Sequence, residues 1–376
     1  MSRSRILMTV YNGLAFDGRV QRSARALSEI ADVKVLSLQE GVGWSPTDEA
    51  YQVEELPIPL GGAKNIAAFG AAIVDRAVRE RPAVVYAHDY YVAAPGARAS
   101  ARAGAKFVYD AHELNLPAPG ESLDGRGKFF LALERWGARR ADLVICANEP
   151  RAQRFHEWSG RAEMPTVVRN IPPRFEPGPG TTMSPLAASH EGTVRLLYQG
   201  DMGARRGLER WVEAMVHLPS RYHLIMAGAG PALDGLRECA IDCEVADRVQ
   251  FLGRVPRDTL DPLMRVCDIG ILSYPATDLN NVYCAPNKVY EYAQCGLPMV
   301  AIGSPYLAGI MEPPGIGRCL VIEAQPSELA AAIEGIEGAR DGFVAACARF
   351  AGANTWTQEA DVLRAAMAPL LEAAGG

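Results

Sequence analysis

The amino-acid sequence predicts an α/β protein of two doubly wound domains, each a parallel sheet covered by helices, which face a central cleft. The length of 376 residues exceeds the size at which one hydrophobic core usually stops growing, so two domains are expected. In both halves, short runs of Val, Ile and Leu alternate with amphipathic helical patterns, as is typical of parallel sheets. Residues 176–192 are rich in proline and glycine and break this alternation, which predicts a linker.

The first domain is predicted at residues 1–175, where apolar runs of strand length recur between helical patterns. Its predicted strands are Arg5–Val10, Val33–Leu38, Ala83–Ala87, Lys106–Tyr109, Asp142–Ala147 and Thr166–Val168. The first helix is predicted at Asp17–Ile30, because apolar residues recur there at helical spacing. Asp17 before Gly18 predicts the N-terminal cap of that helix.

The second domain is predicted at residues 193–355, where the same alternation restarts. Its predicted strands are Val194–Tyr198, His223–Ala227, Val249–Leu252, Asp268–Ser273, Pro298–Ile302 and Arg318–Ile322. Its predicted helices are Leu208–His217, Pro231–Ala240, Asp258–Val266, Lys288–Cys295 and Ser327–Ile336. A last helical pattern at residues 356–376 follows the complete second domain, and we predict that it packs back on the first.

The composition argues against several classes of protein. A net charge of −6 disfavours nucleic acid as the main ligand, because phosphate binding needs a basic surface. No run approaches the roughly 20 apolar residues of a membrane span, and the N-terminal residues predict a buried strand rather than a signal peptide. The eight cysteines show no CxxC pattern, so we expect reduced thiols in a cytoplasmic protein. Peripheral contact with the inner face of a membrane stays open.

Ligands of open parallel sheets bind beyond the carboxyl ends of the strands, so the loops that follow strands are the first candidates. The loop YNGLAFDGRV follows the first strand and lacks the GxGxxG fingerprint of dinucleotide oxidoreductases. Asn12 and Gly13 allow close approach of backbone to a ligand, while Asp17 and Arg19 stand at the start of the helix. The alternative for these residues is a turn followed by a helix cap.

Two further predicted strands end in a histidine beside carboxylates, in the segments AHDYY and YDAHEL. The residues are His88 and Asp89 in the first segment, and Asp110, His112 and Glu113 in the second. Two such pairs on neighbouring strands predict a polar cluster in which a histidine donates to a hydroxyl or stabilises developing charge. A metal site and simple turn capping are the two alternatives.

In the second domain, the segment YQGDMGARRGLERW places Gly200 after a strand and Arg205 and Arg206 at the start of a predicted helix. Cations beside the free N–H groups of a helix form an anion site. The segment AGAGP makes a tight turn through Gly228 and Gly230, which serves either the turn alone or a backbone contact with a ligand. The segment FLGRV, which contains Arg254, ends another strand and could present its backbone to a flat base.

The segment APNKVYEYAQCGLPMVA is the most informative. Pro286 starts a helix, with Asn287 and Lys288 in the first turn and Glu291 about one turn later. A lysine at a helix N-terminus opposes the helix dipole, and a bound diphosphate would explain it. Glu291 suits the hydroxyls of a ribose. The alternative is an exposed helix residue that pairs with Lys288 on the surface.

Together these segments resemble the retaining GT-B glycosyltransferases, particularly the large family 4. The segments FDGRVQRSARAL, VYDAHEL, GDMGARRGL, MAGAGP, FLGRV and KVYEYAQCGLPMVA occur in the order that the family shows. The resemblance implies two Rossmann-like domains, with a nucleotide-diphosphate sugar donor bound mainly by the second and the acceptor mainly by the first. No cofactor is implied beyond the nucleotide-sugar co-substrate. The sequence also lacks a DxD motif, which is consistent with transfer that needs no metal.

The resemblance assigns roles residue by residue. The implied catalytic residues are His112, Arg206 and Lys288. The implied donor-binding residues are Gly13, Gly200, Arg205, Gly228, Gly230, Arg254, Tyr283, Asn287 and Glu291. The acceptor-side candidates are Asn12, Asp17, Arg19, His88, Asp89, Asp110 and Glu113. The acceptor itself is a small molecule, a lipid-linked saccharide or a polysaccharide.

The sequence departs from the family pattern at two positions. Tyr283 stands where the first glutamate of the Glu-x7-Glu pair is usual, although a subset of similar chains carries Pro-Asn-Lys before the helix instead. Asp201 stands where many members have the arginine of a diphosphate clamp, and Arg205 or Lys288 could compensate. The alternatives to a transferase are a nucleotide-sugar-binding scaffold that has lost catalysis and a nucleotide-sugar 2-epimerase.

Overall fold

The structure is a computed structural model, and it describes residues 3–39, 50–117, 122–174, 192–276, 278–284 and 286–375. The chain divides into two compact units: unit 1 comprises Met1–Asn170 and Trp356–Gly376, and unit 2 comprises Ile171–Thr355. Unit 2 therefore starts before the predicted linker, where Gln294 Nε2 donates to the carbonyl oxygen of Pro172 at 3.0 Å. Residues 176–191 of that linker lie outside the described residues.

Parallel strands form the sheet of unit 1 in the order β3-β2-β1-β4-β5-β6-β7. The strands are β1 (Arg5–Gly13), β2 (Asp32–Leu38), β3 (Gln52–Leu56), β4 (Val84–His88), β5 (Lys106–Ala111), β6 (Leu143–Cys146) and β7 (Thr166–Val167). The predicted strands of this half are confirmed, with small shifts at their ends. The sequence did not predict β3, because this edge strand is half-exposed and carries two glutamates instead of a buried apolar run.

Helices cover both faces of this sheet. They are α1 (Gly18–Ser28), α2 (Ala63–Glu80), α3 (Tyr90–Ala103), α4 (Gly125–Ala138), α5 (Glu149–Ser159) and α14 (Trp356–Gly375). The first and the last of these pack on one face, over a core that includes Met8, Tyr86 and Leu363. On the other face α3 packs closely, since a Cβ at Gly96 would lie 2.7 Å from the ring of Phe107.

Asp17 caps α1 as the sequence predicts. Its carboxylate accepts a hydrogen bond from the backbone N–H of Val20 at 3.1 Å. The α1 helix ends at Ser28, two residues before the predicted end at Ile30. An N-terminal carboxylate also interacts favourably with the helix dipole, so this end of α1 is fixed in place.

Unit 2 contains a second parallel sheet, with strand order β10-β9-β8-β11-β12-β13. The strands are β8 (Val194–Gln199), β9 (Tyr222–Ala227), β10 (Val249–Gly253), β11 (Ile269–Ser273), β12 (Met299–Ile302) and β13 (Gly317–Leu320). The helices are α6 (Glu209–Ala214), α7 (Leu233–Asp242), α8 (Arg257–Val266), α9 (Leu279–Val282), α10 (Asn287–Gln294), α11 (Pro305–Met311), α12 (Pro326–Gly338) and α13 (Arg340–Ala353). Apolar cores fill both faces of the sheet, which confirms the predicted doubly wound class.

The prediction that Arg205 and Arg206 open a helix is wrong. Both residues belong to a short 3-10 turn, Ala204–Arg206, and α6 begins only at Glu209. Gly207 separates the two elements, because its φ of +61° cannot continue a right-handed helix. The two arginines therefore do not stand in the first turn of α6 beside its free N–H groups.

Among the described residues, no helix combines the length and the apolar character that crossing a bilayer requires. All eight cysteines are free thiols. Burial raises the pKa of the Cys347 thiol to about 12, so this residue is an unreactive part of the core.

Candidate functional site

Two cations of unit 2 lie against one tyrosine. Lys288, in the first turn of α10, donates from Nζ to the hydroxyl of Tyr274 at 2.9 Å. The Cζ atom of Arg206 lies 4.7 Å from the centre of the same tyrosine ring. Tyr274 directly follows β11, so the end of a buried strand positions the ring that both cations contact. We call Lys288 and Arg206 the cation pair.

The ammonium of Lys288 is held next to the loop that follows β8. Gly200 has a φ of +128°, a conformation that residues with a side chain rarely adopt. A Cβ at this position would lie 2.5 Å from Lys288 Nζ. Glycine therefore leaves the space that the ammonium occupies, and it brings backbone and cation together at the carboxyl end of a strand.

Lys288 carries a full charge at neutral pH. Burial acts to lower its pKa, whereas the hydroxyls of Tyr274 and Tyr198 act to raise it, and the pKa ends above its ordinary value. The cation lies 5.2 Å from the ring centre of Tyr274 and 5.9 Å from that of Tyr198. These two rings partly replace the water that a buried ammonium loses.

Glu291 is buried, with 8% of its surface exposed. Its Oε2 atom accepts a hydrogen bond from Gln199 Nε2 at 2.8 Å. The alternative of an exposed carboxylate that pairs with Lys288 is therefore wrong. Gln199, the last residue of β8, has an Oε1 atom that is buried and lacks a hydrogen-bond partner among the described residues. Both the carboxylate and the amide oxygen can accept hydrogen bonds from hydroxyl groups.

The glycines of the AGAGP turn are required by backbone packing. A Cβ at Gly228 would overlap the carbonyl oxygen of Gly200, and a Cβ at Gly230 would overlap that of Met202. The N–H of Gly228 also donates to the carbonyl oxygen of Gly253 at 2.7 Å. The loops after β8, β9 and β10 thus pack directly on one another. Their glycines have a structural explanation, and the predicted donor contact of Gly228 and Gly230 stays a prediction.

The other donor-side candidates surround the same strand ends. Arg205 and Arg254 are exposed, Arg254 directly after β10. Asn287 is the first residue of α10, one position before Lys288. Tyr283 follows α9 and lies edge-on to Tyr306, with ring centres 6.4 Å apart. Tyr283 is half-buried, and its role in handling the sugar stays a prediction.

In unit 1, two histidines meet at the carboxyl ends of β4 and β5. His88 Nδ1 and His112 Nε2 are 3.0 Å apart, so one of these nitrogens donates to the other. His88 is completely buried and stacks on Tyr86, with ring centres 4.3 Å apart. The side chain of His112 keeps 15% of its surface exposed. His112 is therefore the accessible member of the pair, and His88 lies behind it.

A buried ion pair between Arg19 and Asp110 lies next to the two histidines. Arg19 binds both carboxylate oxygens of Asp110, with the shortest distance, 2.8 Å, from Nη2 to Oδ1. Arg19 Nη1 also donates to the carbonyl oxygen of Val168 at 2.9 Å. Asp110 Oδ2 lies 3.5 Å from His88 Nδ1. Arg19, His88 and Asp110 were acceptor-side candidates, but all three side chains are buried, and Asp110 contacts the other two.

The electrostatic environment keeps His112 neutral. Burial is the largest effect and lowers its pKa to about 4, although the carboxylates of Asp110 and Asp17 act in the opposite direction. Asp17 is held in place by Asn12 Nδ2, which donates to its carboxylate at 2.9 Å. The Oδ1 atom of Asn12 is buried and has no hydrogen-bond partner within the described ranges. A neutral imidazole can donate one hydrogen bond without a full charge.

Asp89 and Glu113 flank the histidines. Asp89 has a φ of +73°, which is unusual for a residue other than glycine, and its carboxylate accepts from the N–H of Tyr90 at 2.7 Å. Burial raises the pKa of Asp89 to about 7. Glu113 is exposed. Gly13, at the end of β1, has an ordinary extended φ of −79°, so its backbone does not require glycine there.

The metal alternative can be compared with this geometry. Ligand atoms of His88, Asp110 and His112 all lie within 4.8 Å of one another, which is close enough for one ion. The two nitrogens already share a hydrogen bond, and the carboxylate is bound by Arg19. An ion here would add positive charge beside a buried guanidinium. The residues therefore fit a hydrogen-bonded histidine pair better than a metal site.

Three side chains of these sites were missed by sequence reasoning. Tyr274, Gln199 and Tyr86 lie at or near strand ends, but each belongs to a mostly apolar segment. A polar residue as the last residue of a buried strand was the available signal for Gln199. No local pattern indicated the two tyrosines, since their contacts are made with residues distant in sequence.

Solved structures of GT-B glycosyltransferases share this fold. The Anabaena protein HepE in complex with UDP-glucose matches with a TM-score of 0.75 at 19% identity, over 98% of this chain and 99% of that chain. Sucrose-phosphate synthase from Thermosynechococcus elongatus matches with a TM-score of 0.73 at 15% identity, over 99% and 98% of the two chains. Two α/β units with these sheets define the GT-B class, which confirms the predicted fold.

Comparison with protein families identifies the chain more closely. Residues 18–171 match the model of the glycosyl transferase 4-like domain, and residues 193–337 match that of the glycosyl transferases group 1. A relative, the D-inositol 3-phosphate glycosyltransferase of Geodermatophilus obscurus, is 25% identical over 343 residues, or 85% of this chain and 72% of the relative. The chain belongs to the glycosyl transferase 4-like, group 1 family of glycosyltransferases.

Proposed function

We propose that this glycosyltransferase moves a sugar from a nucleoside-diphosphate sugar to an acceptor hydroxyl, with retention of anomeric configuration and without a metal ion. The observation that carries the proposal is the cation pair at Tyr274, with Lys288 against Gly200. Two positive charges beside a glycine loop at a strand end suit a diphosphate. UDP-sugars are the first donors to test, because the HepE structure contains UDP-glucose.

Each part of the donor is assigned to a group of unit 2. The cation pair binds the diphosphate, and the first-turn N–H groups of α10, including that of Asn287, add partial positive charge. Glu291 accepts hydrogen bonds from the ribose hydroxyls. The bond from Gln199 holds the carboxylate in place before the donor arrives. Most of the donor site is thus preorganised in unit 2.

The chemical step redistributes charge on the diphosphate. The bond between the sugar C1 and the phosphate oxygen breaks, and a bond between C1 and the acceptor oxygen forms on the same face. The proton of the acceptor hydroxyl passes to the leaving diphosphate. Negative charge grows on the leaving group in the transition state, where the cation pair stabilises it most. Two protein cations at this point replace the charge that a metal ion would supply.

Unit 1 is assigned to the acceptor. His112 is the accessible histidine, and we assign its neutral imidazole a hydrogen bond to a hydroxyl of the transferred sugar. Asp89, with its pKa raised to about 7, is the acceptor-side carboxyl group whose protonation changes near neutral pH. Asn12, Asp17 and Glu113 complete the acceptor-side candidates.

Nucleotide binding tests the donor assignment. We expect UDP to bind wild-type protein and the Glu291→Gln variant to bind it at least about tenfold more weakly, the scale of one hydrogen bond to a charged group. Glutamine can still accept the bond from Gln199, so the fold should survive. Glu334→Gln, at an exposed position of the same unit, is the matched control. Equal affinities for UDP in wild type and both variants would show that Glu291 does not bind the nucleotide.

Turnover distinguishes an enzyme from a scaffold. Incubation with UDP-, GDP- and dTDP-sugars in excess EDTA should give slow hydrolysis of one donor, detected by mass spectrometry of the released sugar. Acceptor extracts should raise this rate, and NMR of the product should show retained anomeric configuration. Binding without turnover under all conditions would favour the scaffold. Activity that disappears with EDTA and returns with Mg²⁺ would contradict metal independence.

A further inference from the structure

Unit 1 has a large apolar trough on the face of the sheet opposite to α1 and α14. Helices α2, α3 and α4 line it, and its volume is about 1090 Å³. The middle helix packs against both others, and Gly137 of α4 allows the closest approach, since a Cβ there would lie 2.6 Å from the backbone of Ala93. The trough lies on one unit and uses none of the residues assigned to the donor.

Large apolar side chains project from the walls of this trough. Phe129 is 59% exposed, Val78 is 44% exposed and Trp136 is 40% exposed. Phe130 is different, because it packs edge-on to Tyr91 with ring centres 5.3 Å apart. The helix α4 therefore packs Phe130, which is half-buried, against unit 1 and presents the adjacent Phe129 to the outside. Exposed apolar residues grouped in this way mark a binding surface.

The charged residues that line the trough are Arg98, Arg102 and Asp75, and further cations lie on α4 and directly after it. On α3, on α4 and directly after α4 the exposed charged residues are Arg98, Arg102, Arg126, Lys128, Arg135, Arg139 and Arg140. Arg135 and Arg139 of this set donate to the carbonyl oxygen of Ser159 at the end of α5. The acidic residue within these two helices is Glu134, which is buried and accepts from the hydroxyl of Tyr109 at 2.6 Å. On the opposite wall, Asp75 of α2 pairs with Arg76 at 2.8 Å. The surface is strongly basic although the chain has a net charge of −6.

We propose that this surface docks unit 1 on an anionic phospholipid bilayer. Phe129 and Trp136 would insert at the level of the headgroups, and the surrounding arginines and Lys128 would bind lipid phosphates. A helix that combines projecting aromatic residues with cations along its flanks suits an interfacial position. A second copy of the chain would bring a second set of cations against the first, so the charge favours lipid over self-association.

Vesicle flotation of the full chain tests the proposal without any need for catalysis. We expect wild-type protein to float with vesicles of phosphatidylcholine and phosphatidylglycerol and to stay in solution with vesicles of phosphatidylcholine alone. The double variant Phe129→Ser/Trp136→Ser should lose most of this binding. Ile241→Ser is the matched control, because Ile241 is 65% exposed in unit 2.

A charge-reversal variant measures the electrostatic contribution to vesicle binding. Arg126→Glu/Lys128→Glu should weaken binding by at least about fivefold for each cation lost, and higher salt should weaken wild-type binding in the same direction. Arg237→Glu/Arg265→Glu makes the same change of charge at exposed positions of unit 2 and should have little effect.

Three results would overturn the proposal. Wild-type protein could fail to float with anionic vesicles, or the Phe129→Ser/Trp136→Ser variant could float as well as wild type. Alternatively, analytical ultracentrifugation could show a dimer that the same double variant dissociates, in which case the trough binds a second copy. None of these results depends on donor binding, so they test the docking surface independently of the proposed function.

Discussion

Lys288 and Arg206 approach one tyrosine from different elements, and the proposed function makes them partners for a single diphosphate. Lys288→Ala should cost about 2–4 kcal/mol in kcat/KM, the scale of removing one charge-stabilising group from an active site. Arg206→Ala should cost a similar amount. The double variant should cost less than the sum of both, because the two cations act on one group. Steady-state kinetics with the identified donor measures all three values.

The control for the cation pair is an arginine of unit 2 that is not a donor-binding candidate. Arg265 is exposed on α8, so Arg265→Ala should stay within about twofold of wild type, as for other surface substitutions. If Lys288→Ala is equally mild, the lysine does not bind the diphosphate. Strict additivity in the double variant would instead place the two cations on separate parts of the donor.

Glu134 makes the stability of unit 1 depend on pH. Burial raises its pKa from 4.5 to about 8, whereas the hydrogen bond from Tyr109 acts in the opposite direction. Between these two pH values the folded state keeps a proton that the unfolded state has released. The contribution of Glu134 to stability is therefore present at low pH and is lost as pH rises through this window. Glu134→Gln removes the titration, so its Tm relative to wild type should rise from about pH 5 to pH 8.

Thermal unfolding at several pH values measures this difference. Glu157→Gln is a suitable control, because Glu157 is exposed on α5 and its Tm difference should not follow the same trend. A Tm difference between Glu134→Gln and wild type that stays constant from about pH 5 to pH 8 would show that the carboxyl group titrates normally in the folded protein.

At the scale of elements, the loops after β8 and β9 and the end of β10 form one packed layer beside the proposed donor site. Gly228 is the tightest point of this layer, since a Cβ there would overlap the carbonyl oxygen of Gly200. Gly228→Ala should lower the Tm clearly and also weaken nucleotide binding, because Gly200 would move relative to Lys288. Differential scanning calorimetry and UDP titration measure the two effects.

A second glycine of unit 2 provides the comparison. Gly235 lies inside α7, and a Cβ there would meet nothing within 4 Å. Gly235→Ala should leave UDP affinity unchanged and stabilise the helix by up to about 1 kcal/mol. A Gly228→Ala variant as stable as Gly235→Ala would show that the loops are not packed as tightly as this structure has them.

At the scale of the whole molecule, unit 1 is assembled from two ends of the chain. Glu359 of α14 accepts from the backbone N–H of Arg169 at 2.7 Å and from its guanidinium at 2.6 Å. Leu363 is completely buried on the same helix, in the core that contains Met8 and Tyr86. Unit 1 therefore cannot complete its core until the last helix has been synthesised.

Leu363→Ala should destabilise the protein by about 2–5 kcal/mol, as expected for a buried leucine replaced by alanine. Val362 is adjacent but 41% exposed, so Val362→Ala should change stability little. Chemical denaturation, followed by a signal from unit 1, measures both variants. Equal effects would mean that α14 does not contribute the core contacts described above.

The local pattern of the sequence was sufficient for the fold class and for most elements. Apolar runs and helical periodicity are properties of neighbouring residues, so β1, β8 and the Asp17 cap could be predicted from short segments. The half-exposed edge strand β3 lacks such a pattern and was missed. The 3-10 turn at Arg206 was missed as well. The composition of that segment suggests the start of a helix, but Gly207 has a left-handed conformation and separates the turn from α6.

The sequence alone determined which loops follow the strands and contain polar residues, since strand ends are recognisable and their polar residues stand out against apolar runs. Only the tertiary structure decided which of those residues is accessible. Arg19 and Asp110 are 91 positions apart and neutralise each other in the interior, whereas His112 reaches the surface. Likewise, Lys288 binds Tyr274 rather than Glu291, although Glu291 is nearer in sequence. Such choices depend on packing between distant segments, and no short stretch of sequence contains that information.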